Sequence, residues 1–222
     1  GDQTPYRPDQ RGSDEVFIHG AGGIGQSYQG SCGDAPGNKY FDPAILHNNS
    51  FVKTKGFCTD IFFTQAMQWI ESQKDSQPFF AYIATNAPHG PFIAPDSYKK
   101  KFLDAGLPER TVGFYGMIEN IDDNIGRLCQ KIDELGIENN TLFIFMTDNG
   151  PSASIYNGDH KGKKGSVDEG GTRVPSFWRW PGVLKPDTDV DRIANHFDIL
   201  PTFADIVGGH PEQKELLHGR SL

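Results

Sequence analysis

Three short stretches carry residue types that could do chemistry together. Asp148 and Asn149 follow directly on the apolar run Leu142-Phe143-Ile144-Phe145-Met146-Thr147 and precede Gly150-Pro151. A carboxylate beside an amide oxygen is a pair of hard donors, suited to calcium or magnesium and poorly suited to a soft metal. The same tetrapeptide is favourable turn chemistry, so the residues alone leave ligation and a plain turn both open. His89 stands between prolines in Ala87-Pro88-His89-Gly90-Pro91, at the end of another apolar run, and alone it reads as an exposed loop histidine. Between Gly158 and Ser166 the glycines flank Lys161, Lys163 and Lys164. Such a loop either presents ammonium groups to an oxyanion or is a solvated basic run. It is not a Walker loop: only three residues separate Gly158 from Gly162, and Lys163 is followed by another lysine.

The elements that must position these residues are legible from apolar periodicity. Phe79–Ala84 and Thr141–Thr147 are continuous apolar runs of strand length, the pattern of strands buried on both faces, and Arg173–Trp180 is a third candidate ended by Pro181-Gly182. Ile61, Phe62, Ala66, Trp69 and Ile70 predict a helix over Thr59–Lys74 with Thr59 as its cap. A longer stripe, Tyr115, Ile118, Ile121, Ile125, Leu128, Ile132 and Leu135, predicts a helix from Glu109 to Leu135 stopped by Gly136. Asp198 caps a last helix to Val207.

Alternating strands and helices predict an α/β protein with a mostly parallel sheet sandwiched by helices. In such a sheet ligands bind beyond the carboxyl ends of the strands. The first strand runs into His89, the second into Asp148 and Asn149, and the lysine loop precedes the third.

Other features carry no chemistry. Asp122 and Asp123 are adjacent on a helix and point about 100° apart, which makes them a solvated face. Gly20–Gly25 spells Gly-x-Gly-x-x-Gly, but no helical pattern follows it, and residues 1–50 read as turn-rich loop.

Composition bounds the function. The 222 residues are 36% hydrophobic and 12% aromatic, enough for one substantial core or two small ones. A net charge of -8 and a pI near 5.3 argue against nucleic acid as a partner. No run approaches the roughly 20 apolar residues of a membrane span, and the mean hydropathy is -0.52. Cys32, Cys58 and Cys129 form no Cys-x-x-Cys pair, so a zinc knuckle is excluded and at most one internal disulfide is available.

Read in order, Ala87-Pro88-His89-Gly90-Pro91, Phe145-Met146-Thr147-Asp148-Asn149-Gly150 and Gly162-Lys163-Lys164-Gly165-Ser166-Val167-Asp168-Glu169-Gly170-Gly171-Thr172-Arg173-Val174-Pro175 resemble the type I sulfatases. The resemblance extends through Trp180-Pro181-Gly182 and His196-Phe197-Asp198-Ile199-Leu200-Pro201-Thr202, and back to Tyr6-Arg7-Pro8. It implies an alkaline phosphatase-like fold and hydrolysis of sulfate esters, with a formylglycine nucleophile beside a calcium ion. It further implies that Asp148 and Asn149 are two of the calcium ligands, that His89 contacts the sulfate, and that Lys164 is a sulfate-binding lysine. Asn157, His160 and Lys161 become candidate contacts to the substrate, a sulfate ester and, by the same resemblance, a sulfated carbohydrate.

The chain departs from the family pattern in three respects. Formylglycine arises from Cys or Ser in Cys/Ser-x-Pro-x-Arg, and the nearest stretch, Ser76-Gln77-Pro78-Phe79-Phe80, lacks the arginine. The family's early Asp-Asp ligands and its Lys-x-His stretch have no counterpart here either. The expectation is that residues 1–222 are the central part of a single sulfatase catalytic domain, inactive alone, from a parent that is periplasmic or secreted. Two alternatives remain at this level: a noncatalytic module binding sulfated or phosphorylated ligands, and a phosphodiesterase or phosphonate hydrolase of the same superfamily.

Overall fold

The computed structural model describes residues 3–20, 24, 38–152, 155–209 and 217–222. Cys32 and most of the Gly20–Gly25 cluster lie outside the described residues. The chain forms two compact units, 1–138 and 139–222.

The first unit opens with a small antiparallel sheet in the order β1 (Phe17–Ile18), β2 (Ala44–His47), β3 (Ser50–Lys53). A hairpin joins the last two and turns at Asn48, which has φ +52° and whose Oδ1 accepts the Val16 N–H at 2.9 Å. This sheet falls where the sequence predicts only loop. Strands of two to four residues are too short to show a period of two.

Helix α1 (Cys58–Gln73) begins one residue before its predicted start. Thr59 therefore sits inside the first turn and caps nothing. Its Oγ1 is buried with no hydrogen-bond partner among the described residues.

After α1 the structure departs from expectation. Residues 79–84 join no ladder among the described residues, and their exposure alternates, with Phe80 68% and Tyr82 82% exposed. Phe79, on the other face, meets Trp69 of α1 edge to face at 5.4 Å. The alternation is that of a strand covered on one side only.

Helix α2 (Asp96–Asp104) buries none of its residues, which is why no apolar stripe announces it. Helix α3 (Glu109–Glu134) matches its predicted span, but its buried side is shifted from the predicted stripe, with Ile118 exposed. Val112, Met117, Ile121, Leu128 and Ile132 are buried along one side, and Gly136, at φ +67°, follows the last turn. Asp122 and Asp123 are exposed, as a solvated face requires.

Two buried asparagines bind α3 to α1: Asn120 and Asn124 each donate to Asp60 Oδ1 at 2.7 Å. Gly113 serves a different contact. A Cβ there would overlap the Phe92 carbonyl, so this glycine lets the segment after His89 lie directly on the helix.

In the second unit β4 (Phe143–Met146) pairs with β5 (Ser176–Arg179), and Phe145 stacks on Phe177 with ring centroids 6.3 Å apart. The pairing is antiparallel, as are all ladders among the described residues. A parallel neighbour needs a crossover, usually a helix, and the connection here is a glycine-rich loop holding, among its described residues, only the four-residue α4 (Glu169–Thr172). Helix α5 (Ile199–Ile206) closes the unit, with Asp198 immediately before it. Among the described residues, no helix is long and apolar enough to cross a membrane.

Candidate functional site

The end of β4 delivers the first candidate pair. Its last ladder partners are Met146 and Ser176, and beyond them Thr147, Asp148, Asn149 and Gly150 leave the sheet. Asp148 is exposed and Asn149 half-buried. The dipeptide is held from both sides. The Gly150 N–H donates to the Gly171 carbonyl at 3.0 Å, and the Thr147 carbonyl accepts from His196 Nε2 at 2.9 Å. Gly150 has to be glycine, because a Cβ there would overlap the Gly170 carbonyl.

The lysine loop is bound to the same turn. The backbone N–H of Lys164 donates to the Pro151 carbonyl at 2.9 Å, and the Gly170 N–H donates to Lys161 at 2.7 Å. A Cβ at Gly170 would overlap the carbonyls of Gly162 and Lys161, so the Glu-Gly-Gly run is the surface on which this loop rests. Within the second unit, then, Asp148, Asn149 and Lys164 are brought together.

The other candidates in this loop hold its shape. Asn157 Nδ2 donates to the carbonyls of His160 at 2.8 Å and Gly162 at 3.2 Å. His160 Nδ1 lies 3.0 Å from Glu169 Oε2, and Arg173 lies 3.7 Å from the same carboxylate group. Lys161 Nζ is 3.4 Å from Asp168 Oδ1. Lys163 and Lys164 are exposed and form no ion pair among the described residues. Of the three lysines, Lys161 lies beside Asp168, whereas Lys163 and Lys164 have no ion-pair partner among the described residues.

In the first unit His89 is exposed on a loop whose flanking bonds, Ala87–Pro88 and Gly90–Pro91, are cis. Its backbone is fixed: its N–H donates to Asn86 at 2.9 Å, and its carbonyl accepts from Tyr40 Oη at 2.7 Å. Burial, and secondarily the neighbouring Cys58, pushes the Tyr40 phenol well above its ordinary range, so it remains a donor to that carbonyl. His89 Nδ1 lies 3.0 Å from the Gly90 carbonyl, to which it donates. Nε2 is the ring nitrogen left to meet a ligand.

Asp148 and Asn149 fit calcium by donor chemistry, being hard oxygens with no ion pair among the described residues. They supply about two of the six to eight oxygens the ion takes. Among the described residues no three His, Cys, Asp or Glu side chains gather into a further cluster. Cys58 is no nucleophile: burial pushes its thiol up to about 12, so no thiolate is present near neutrality. His196 is the residue that site reasoning from sequence overlooks, since nothing local marks an imidazole that reaches back to Thr147.

The chain is similar to known sulfatases in sequence and in fold. The chain is 32% identical over 178 residues to the sulfatase YdeN of Escherichia coli (strain K12), covering 77% of this chain and 31% of that protein. It is 30% identical over 172 residues to the N-acetylgalactosamine-6-sulfatase of Rattus norvegicus, covering 74% of this chain and 31% of the relative. Among solved structures, Ps i-CgsB in complex with k-i-k-neocarrahexaose superposes with a TM-score of 0.86 at 27% identity, over 99% of this chain and 51% of that one. The chain thus spans about a third to a half of the length of these proteins, and it carries part of the α/β, alkaline phosphatase-like fold of the sulfatases. The sulfatase family model matches residues 3–209, and the chain belongs to the sulfatase family.

Proposed function

We propose that the protein carrying this chain is a calcium-dependent sulfuric ester hydrolase acting on sulfated carbohydrate. The observation that carries this reading is the Lys164–Pro151 backbone bond, which holds an unpaired ammonium beside a turn presenting two hard oxygen ligands. The family match supports the reaction class. The printed names of an N-acetylgalactosamine-6-sulfatase and of a neocarrahexaose complex support sulfated sugars as the substrate class.

In this reading Asp148 and Asn149 donate two oxygens to calcium. When bound, that ion supplies positive charge and a template for a sulfate oxygen, and formylglycine supplies the nucleophile. Lys164 opposes the negative charge that builds on the sulfuryl oxygens as the ester bond breaks, an effect strongest where the cation is already in place. His89 contacts the sulfuryl group through Nε2 and, when protonated, donates to the departing oxygen. Asn157 and His160 hold the loop that carries Lys164, and Lys161 stands at its rim with its charge shared by Asp168.

We assign both compact units to one catalytic domain, because a single family model runs through both. Export to the periplasm or the medium belongs to the same reading, since large sulfated glycans are met outside the cell.

The test is sulfate release by the full-length natural protein, loaded with calcium, from a panel of sulfated oligosaccharides. Release from a sugar sulfate that falls sharply in Lys164→Ala and Asp148→Ala is expected. Phosphate or phosphonate turnover without sulfate release would overturn the proposal.

A further inference from the structure

We infer that His196 is a positioning residue for the Asp148-Asn149 ligand pair, acting through the Thr147 carbonyl; this rests on the sulfatase reading of that pair. The ladder that fixes β4 ends at Met146, so the Thr147 carbonyl lies beyond the stretch that pairs with β5. His196, 49 residues away, donates to it from Nε2 at 2.9 Å. On the far side of the pair, the Gly150 N–H is fixed by the Gly171 carbonyl. Both peptide planes flanking the two ligands are thereby anchored, and those planes set the directions in which the two side chains leave the backbone.

The imidazole is itself carried on a stiff mount. Asp198 Oδ2 accepts the Asn195 N–H at 2.7 Å and its Oδ1 accepts the Arg220 N–H at 2.9 Å. The Thr202 hydroxyl donates to the Asp198 carbonyl at 2.7 Å, and the Arg220 guanidinium donates to Ile193 at 2.9 Å. His196 and Phe197 are both exposed, so removing the imidazole sacrifices little buried surface. Its contribution lies in orientation.

Removing a group that orients a metal ligand typically weakens metal affinity about 10- to 100-fold, and an exposed bond that water can replace belongs at the low end. Gln is the conservative probe, because its Nε2 lies about where the histidine Nε2 does and also donates. The experiment is calorimetric titration of calcium into the full-length natural protein as wild type, H196A, H196Q and D148A, with melting temperatures taken in chelator. We expect D148A to abolish binding, H196A to raise the calcium Kd about tenfold, H196Q to restore it, and the chelator melting temperatures to coincide.

Wild-type affinity in H196A alongside a defective D148A would overturn the positioning role and leave the sulfatase reading standing. Failure of H196Q to restore affinity would also overturn it, because donation from that nitrogen is the point. If wild type binds no calcium, or D148A binds it normally, the ligand assignment itself fails and the role of His196 falls with it.

Discussion

Lys164 and Pro151 are joined backbone to backbone, the lysine N–H donating to the proline carbonyl at 2.9 Å. Pro151 lies two residues beyond Asn149, so this bond fixes the root of an exposed cationic side chain beside the Asp148-Asn149 turn. The side chain stays exposed and has no carboxylate partner among the described residues. A group placed this way contributes little to folding, and in the proposed reaction its charge is available to the substrate.

The expected consequence is a separation of activity from stability. In the full-length protein Lys164→Ala should lower kcat/KM by about a hundredfold or more, the usual scale for deleting one preorganised donor to a developing anion, at unchanged melting temperature. Lys164→Arg should recover only part of this, since a planar fork does not reproduce a compact ammonium. Lys161→Ala should have a much smaller effect, because Asp168 already shares its charge. Equal losses in Lys161→Ala and Lys164→Ala would contradict the division of labour that the loop geometry implies.

Gly150 offers a complementary test, through packing. A methyl group there would overlap the Gly170 carbonyl, a rigid backbone atom, and would compete with the Gly150–Gly171 hydrogen bond. Gly150→Ala should therefore destabilise the protein by about 1 to 3 kcal/mol, the typical cost of overpacking. Urea unfolding measures this directly, and a midpoint equal to wild type would mean that the two loops part without penalty. Gly126→Ala is the control, because nothing lies within 4 Å of a Cβ placed there.

What the sequence reveals and hides follows from the range of the forces involved. Helix α3 is legible because its apolar stripe repeats along 26 residues and a glycine ends it. β4 and β5 are both legible as strand runs, but their antiparallel pairing is not, since pairing is a long-range choice that a run of Phe and Ile does not encode. The hairpin before α1 is hidden by its brevity. At the site, Asp148 and Asn149 stand out by donor type, whereas Lys161 and Lys164 look alike until the loop folds and Asp168 meets only the former. Asn157 and His160 have the composition of ligand contacts, yet their polar atoms serve the loop's own backbone and Glu169.

Cys58 gives a prediction in the alkaline range. It is 1% exposed, and burial raises its thiol from 9.0 to about 12. The folded state thus keeps the proton to higher pH than the unfolded state does. This contribution to stability is fully present below the unfolded pKa and is lost as pH rises from there through about 12. Iodoacetamide at pH 8 should leave Cys58 unmodified in the native protein and label it rapidly in urea. Native labelling at the rate of an exposed thiol would show that the burial around Tyr40 and Cys58 is not maintained in solution.

Asp198 gives the opposite dependence. The backbone N–H groups of Arg220 and Asn195 hold its carboxyl below the usual range, each binding a different oxygen. The unfolded chain takes up the proton first as pH falls. Stability from this group is therefore fully present above the unfolded carboxylate value of about 3.9 and is lost as pH drops through the lower folded value. Asp198→Asn keeps the shape but turns an NH2 toward one of the two N–H donors, so it should destabilise at neutral pH. Urea midpoints for wild type and Asp198→Asn, compared from pH 7 down into the acid range, should converge below the carboxylate range as the wild-type advantage is titrated away. A gap between the two that stays constant across that range would show that the charge on Asp198 contributes nothing, and that the turn carrying His196 is held by packing instead.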